Sequence, residues 1–357
     1  MGRKSVVIYT NFSGPDLENC GRLLFYLNTM SLLISSDFNY KGVNYLNPAL
    51  AMRIGNKRAD LAILDSDLNL RLLLEFKELE PGEEEKLDKA LNQVIDYSRT
   101  ANPAFYGVVA IKTSEKHYRY VISDVNDEGY DISFCPSYKI LIHLYDSECL
   151  SKDNPTLCDP VYFEEKEVSG IFLNELENEV KGIFDVISGK VRGKVRSYVR
   201  NEAFHQYELA RVLTEYRIKV YPEYTIRLRD TKARTIRNII IPAKVDLMLR
   251  VKNNAIPIEV KSYEGLAQEQ LDQLIKYMKL LESPLGIVNT ELIPSKLQSP
   301  LGVAANPKGD FIRLTVIDGS GNIRGVFNIP FVKKGENIRY LTKNKELDRF
   351  IEFIRKI

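Results

Sequence analysis

Tryptophan is absent from this chain, histidine occurs 3 times, cysteine 4 times, and no apolar run approaches the length of a membrane-crossing helix. Each shortage removes a class of protein. Cys20, Cys135, Cys149 and Cys158 form no CxxC pair, and with so few histidines they offer little for a zinc site; they read as reduced, structural thiols. The opening MGRKSVVIYTNF lacks the apolar core of a secretion signal, so the expected location is cytoplasmic, with no membrane partner. Neither charge sign dominates: 50 Lys and Arg face 48 Asp and Glu, so any basic surface must be local. What remains is an ordinary globular composition, 44% hydrophobic and 27% charged. At 357 residues the chain exceeds the size at which one core stops growing, which predicts two domains.

Two short stretches stand out against that background. Residues 71–78 read RLLLEFKE and 255–262 read AIPIEVKS. Each is an apolar strand that ends in Glu-x-Lys, and alternation along a strand puts Glu75 with Lys77, and Glu259 with Lys261, on one face. A charge pair at the edge of an apolar layer is costly unless something there requires it. Glu-x-Lys by itself means little, because Glu84–Lys86, Glu164–Lys166 and Glu179–Lys181 repeat it in polar or helical contexts that suit a solvated face.

The surroundings of the two pairs also repeat. An aspartate precedes each, Asp60 in KRADLAIL and Asp246 in AKVDLMLRV. A helical stretch follows each, carrying Gln93-x-x-x-Tyr97 and Gln273-x-x-x-Tyr277 on one helical face. Next come an apolar strand, AFYGVVAIK in the first copy and PLGIVNT in the second, and a hairpin, YRYVISDVNDEGYDISF or FIRLTVIDGSGNIRGVFNI. The offset between copies is 184 residues for Glu75/Glu259 and Lys77/Lys261, 186 for the aspartates and 180 for the glutamines and tyrosines. The expected organisation is an N-terminal domain over 1–160, a linker and helix over 161–190, and a C-terminal domain over 191–357. The joint is placed in the polar SKDNPTLCDP or just after it.

Carboxylates on neighbouring strands repel until a hard cation binds between them, and Mg²⁺ favours one or two carboxylates with waters and substrate phosphate. Asp60 with Glu75, and Asp246 with Glu259, therefore read as ligands for Mg²⁺ or Mn²⁺. Lys77 and Lys261 read as catalytic cations beside a scissile phosphodiester.

These residues resemble the PD-(D/E)xK nuclease superfamily. The proline of the first motif is replaced, the chain reading Ala59-Asp60 and Val245-Asp246. YELARVLTEYRIKVYPEY with VDLMLRV and IPIEVKS resembles archaeal Holliday-junction resolvases, and ADLAI with LLLEFKEL resembles the nuclease domain of type I restriction subunits. The Gln-x-x-x-Tyr helix is similar to that of RecB-like exonucleases. The resemblance covers about 60–112 and 200–290, and no single subfamily fits throughout. It implies an α/β fold of two tandem restriction-endonuclease-like domains, each a mixed central sheet flanked by helices. It also implies a helix acid as a further metal ligand. Of Glu202, His205 and Glu208 on NEAFHQYELARVLTEY, Glu208 has the spacing the resolvase pattern wants; Glu18 is the nearest acid in the first copy.

The implied partner is DNA, whether duplex, branched or single-stranded, and an oligomer is left open. Basic clusters for phosphate contact lie at Lys190, Arg192, Lys194, Arg196 and Arg200, and at Arg229, Lys232 and Arg234. The expected activity is that of a metal-dependent DNA endonuclease. The alternative is a non-catalytic nucleic-acid-binding or assembly protein that keeps the fold, distinguished by binding that ignores metal.

Overall fold

The computed structural model describes residues 6–9, 17–43, 45–113, 119–126, 129–132, 138–152, 154–168, 174–196, 201–228, 241–252, 254–282, 286–288, 291–293, 298–334, 337–340 and 343–357. The first half of the chain runs β1 (Val6–Tyr9), α1 (Leu17–Ser35), β2 (Asn47–Ile54), β3 (Lys57–Leu64), β4 (Leu70–Leu79), α2 (Glu85–Ala101) and β5 (Phe105–Thr113). It continues with β6 (Arg119–Asn126), β7 (Gly129–Ile132), β8 (Tyr138–Asp146), β9 (Tyr162–Val168) and α3 (Glu177–Ile187). The second half begins with α4 (Glu202–Glu215), β10 (Lys219–Leu228), β11 (Ile241–Val251), β12 (Asn254–Val260) and α5 (Gln268–Leu281). Then come β13 (Gly286–Val288), β14 (Glu291–Ile293), β15 (Leu301–Lys308), β16 (Phe311–Asp318), β17 (Ile323–Lys334), β18 (Asn337–Tyr340) and α6 (Lys345–Arg355).

Two mixed sheets result. The first has the order β2-β3-β4-β5-β8-β9 and the second β10-β11-β12-β15-β16-β17-β18. In each, one pair is parallel, β4 with β5 and β12 with β15, and the remaining pairs are antiparallel. A parallel pair needs a crossover, which is why α2 and α5 follow the Glu-x-Lys strands. Tyr97, Val94 and Leu91 of α2 pack on one face of the first sheet against Leu73 and Val108. Leu274, Tyr277 and Met278 of α5 do the same on Ala255 and Ala304. The opposite faces of both sheets share a single apolar cluster, to which α1, α3, α4 and α6 contribute Leu24, Phe184, Leu213 and Phe350 among others. Across it α1 lies against α4 and β10, and α4 lies against β2.

Three expectations are corrected. PLGIVNT is not the second copy's crossover strand: 286–288 pairs with 291–293 in a small hairpin, and β15 lies beside β12 instead. The sequence of β15, LGVAANPK, is rich in residues with little strand propensity, and an insertion precedes it. The stretch 161–190, read as linker and helix, holds β9, which pairs with β8, and α3, which packs on α1 and β9. Even residues 193–195 still run along the first half, with Leu70 N donating to Gly193 O at 2.8 Å and Val195 N to Leu68 O at 2.9 Å. A glycine is required there, since a Cβ on Gly193 would sit 2.3 Å from Asn102 O. Lastly, Cys149 and Cys158, read as reduced, are joined by a disulfide between two short 3-10 turns; Cys20 is buried and free, and Cys135 lies outside the described residues.

Candidate metal centre

Strand register brings the expected acids into one row in each sheet. In the first, Leu50↔Leu61 and Met52↔Ala59 place Ala51 opposite Asp60, and Leu61↔Leu74 places Asp60 level with Glu75. In the second, Pro222↔Leu247 and Tyr224↔Val245 place Glu223 opposite Asp246, and Leu247↔Ile258 places Asp246 level with Glu259. At the row the ladder opens in both copies. Ala51 (φ 47°) and Glu223 (φ 50°) adopt left-handed backbone, an outlier inside a strand for any residue but glycine. The aspartate side chain takes over a strand amide: Phe76 N donates to Asp60 Oδ2 at 2.8 Å, and Val260 N donates to Asp246 Oδ2 at 2.7 Å.

The lysines close on their glutamates as the alternation requires. Lys77 Nζ is 2.9 Å from Glu75 Oε1, and Lys261 Nζ is 2.5 Å from Glu259 Oε1. Both glutamates are buried, and in each the Oε2 has no hydrogen-bond partner among the described residues. Burial, then the Asp60 charge, pushes the Glu75 carboxyl up to about 7. Burial, then Glu259, pushes Asp246 up to about 8, and burial likewise raises Glu259. Burial pulls the Lys261 ammonium down, but Glu259 and Asp246 outweigh it and hold the proton on. These are acids kept together at an electrostatic cost.

The helix acids come from α1 and α4. Glu18 Oε1 lies 4.0 Å from Lys77 Nζ, and Glu202 Oε1 lies 3.7 Å from Lys261 Nζ. Glu208, expected to complete the second site, does not reach it. It is fully buried on the face of α4 that meets α1, bonded to the Arg211 guanidinium at 3.0 Å and accepting from Tyr26 Oη at 2.8 Å. His205 is also turned away, its ring beside Phe204 and Phe331. Among the three candidates Glu202, His205 and Glu208, the sequence distinguishes Glu202 by its offset, since Glu18 and Glu202 stand 184 residues apart like the Glu-x-Lys pairs.

The glutamine–tyrosine helices support the rows differently. Gln93 Nε2 donates to Glu75 Oε1 at 2.6 Å and to the Tyr97 hydroxyl. Gln273 donates to the Tyr277 hydroxyl, which in turn donates to Lys244 O at 2.6 Å, so in the second copy the pair braces β11. Buried Gln270, not anticipated, donates to Glu259 O at 2.8 Å.

The copies differ most in what faces the aspartate. Arg22 of α1 puts Nη2 2.8 Å from Asp60 Oδ1 and 3.2 Å from Glu18 Oε1. Its counterpart at the same offset, Gln206, is uncharged and donates to Asp246 O at 2.6 Å and Glu223 Oε1 at 3.0 Å. Neither residue was singled out from sequence, where an arginine on an amphipathic helix looks like surface.

Metal fit follows from these contacts. In the second copy Glu259 has an orphaned buried oxygen, and Glu223 and Glu202 add further negative charge, so a hard cation suits the donors. Among the described residues no three acids, histidines or cysteines converge as a ready-made cluster; the Lys261 ammonium lies between Glu259 and Glu202. In the first copy both Asp60 oxygens are engaged, one by Arg22 and one by Phe76 N–H, and the donors as arranged do not fit a metal.

Of the basic residues, Lys190 is tied to Asp146 at 2.7 Å and Glu148 at 2.6 Å, with Arg192 3.7 Å from Glu148. These two join the end of α3 to β8 instead of forming an open phosphate surface. Lys194 and Arg196 are exposed, while Arg200, Arg229, Lys232 and Arg234 lie outside the described residues.

No curated protein and no solved structure matches this chain. A family model, described as the PD-(D/E)XK nuclease superfamily, matches residues 194–291, a stretch that contains Glu202, Gln206, Glu223, Asp246, Glu259, Lys261, Gln273 and Tyr277. Over that stretch the chain is similar to the PD-(D/E)XK nuclease superfamily, and the first copy of the row lies outside the match.

Proposed function

We propose that this protein is a divalent-metal-dependent nuclease that hydrolyses phosphodiester bonds in DNA, with its working site at Glu202, Asp246, Glu259 and Lys261. The observation that carries the reading is the row Glu223–Asp246–Glu259, in which the buried Glu259 carboxylate and the half-buried carboxylates of Asp246 and Glu223 are held in register although they repel. Such an arrangement is costly for a fold and useful for a cation. Asp246 and Glu259 would hold Mg²⁺ or Mn²⁺, with Glu202 the nearest further acid. The bound ion supplies an acidified water and stabilises charge on the phosphate under attack. Lys261 keeps its proton beside the row and offers a positive charge to the scissile phosphate. Exposed Lys194 and Arg196 attract the backbone without reading sequence.

Incubating the full chain with supercoiled, linear, single-stranded and branched DNA, with and without Mg²⁺ or Mn²⁺, tests the reading. Metal-dependent cleavage that disappears in Glu259→Gln supports it. No cleavage of any DNA or RNA overturns it and leaves the binding-only alternative.

A further inference from the structure

We infer that the N-terminal site is closed to metal by its own arginine, so that this chain works with one metal centre and not two. The inference rests on reading the C-terminal site as a metal centre. It starts from Arg22, whose guanidinium contacts Asp60 Oδ1 at 2.8 Å and Glu18 Oε1 at 3.2 Å. The other Asp60 oxygen is taken by Phe76 N–H. The guanidinium also lies over the Phe76 ring, 5.8 Å from its centroid. Two acids and an aromatic face hold it in place.

Comparison of the two rows makes the substitution coherent. Arg22 and Phe76 stand where the second copy has Gln206 and Val260, both at the 184-residue offset. Val260 has no ring to seat a guanidinium, and Gln206 has no charge to seat. The position opposite the aspartate changes in the compensating direction, Ala51 in the first copy and Glu223 in the second. The first site therefore sets Glu18, Asp60 and Glu75 against two fixed cations, Arg22 and Lys77. The second sets Glu202, Glu223, Asp246 and Glu259 against Lys261 and the outward-lying Lys244, which binds Glu223. Three acids against two cations leave one negative charge in the first site, and four against two leave two in the second, where one of the two cations is the outward-lying Lys244. An arginine cannot vacate its place by losing a proton, so an ion entering the first site would have to displace a paired, largely buried guanidinium.

Counting Mn²⁺ bound to the full chain, by the electron paramagnetic resonance of the free ion, tests this. Wild type should bind one ion at the site lost in Glu259→Gln, Asp60→Asn should leave that count and affinity unchanged, and Arg22→Gln should add a second ion. Two ions in wild type, or an ion lost in Asp60→Asn, would overturn the inference, as would a folded Arg22→Gln that gains none. If Arg22→Gln does not fold, the comparison of Asp60→Asn with Glu259→Gln decides. Should wild type bind no Mn²⁺, the reading of the C-terminal site fails, whereas a gain from none to one in Arg22→Gln still identifies the arginine as the plug.

Discussion

Asn201 connects the first half of the chain to the acid that opens α4. Its Oδ1 accepts from Phe204 N at 3.1 Å and caps the helix, while its Nδ2 donates to Leu50 O at 2.9 Å and Ala51 O at 3.3 Å. Those carbonyls flank the left-handed position in β2. Glu202 follows immediately, so its distance from Lys261 depends on where that first turn is pinned. Asn201→Ala should cost roughly 1 kcal/mol for the cap and about 1 kcal/mol more for the lost donor. Asn201→Ser keeps an acceptor for Phe204 N and loses only the link to β2, so it should lose about half as much. Chemical denaturation of the full chain measures both variants. Mn²⁺ titration should show weaker binding in each, because the Glu202 charge is less firmly placed. A serine variant equal to wild type in stability and in Mn²⁺ affinity would refute the claim that β2 positions this helix.

Other consequences concern the buried network and the lysines. Glu208→Ala leaves the Arg211 guanidinium, 3% exposed, without its main partner and should destabilise by about 3–5 kcal/mol in a denaturation experiment, while the folded fraction keeps wild-type Mn²⁺ affinity. Lys261→Ala should reduce cleavage roughly 100-fold or more while DNA binding, measured by anisotropy, stays near wild type. Lys77→Ala should cut at close to the wild-type rate, and an equal loss in both variants would contradict a single working centre. On supercoiled plasmid the product should accumulate as nicked circles before linear DNA, a time course readable on a gel; linear product from the first time point would require a second cutting centre.

Much of the site was legible because its residues break the rules of their surroundings. Asp60, Glu75, Asp246 and Glu259 are acids inside apolar strands, and an acid there demands a reason that a surface acid does not. Repetition of the whole order made the reason common to both copies. Glu208 misled because its spacing to the next strand suited a resolvase-like pattern, while a fraction of a helical turn decides whether an acid faces the row or the neighbouring helix. Glu223 could not be found by pattern, since it enters the row through register and a left-handed backbone, neither of which leaves a local mark. SKDNPTLCDP looked like a linker for the usual compositional reasons, yet its polar residues cap two 3-10 turns inside the first half. A cysteine pair nine residues apart matches no signature, so the disulfide there had no sequence-level sign.

A site that holds no ion still has a physical reason to keep its fold. The first sheet and the second do not have separate interiors on their shared side: Leu23, Leu24 and Met30 of α1 belong to the same apolar cluster as Tyr207, Leu209 and Leu213 of α4. Polar links cross that boundary as well, Tyr26 Oη to Glu208 and Tyr207 Oη to Asn19 Oδ1 at 3.4 Å. Removing the first half would expose the inner face of α4 and leave the Glu208 and Arg211 pair in a half-built core. Pairing of Asp60 with the Arg22 guanidinium is tolerable in that setting, because it satisfies the carboxylate without disturbing α1 as a packing surface. An arginine in place of Gln206 would bring a second cation to Glu223, already bound by Lys244, and set a positive charge beside Asp246, whose negative charge the proposed site uses. Two copies thus allow the aspartate of one row to be paired from within, provided that its helix continues to hold the other row's helix in place.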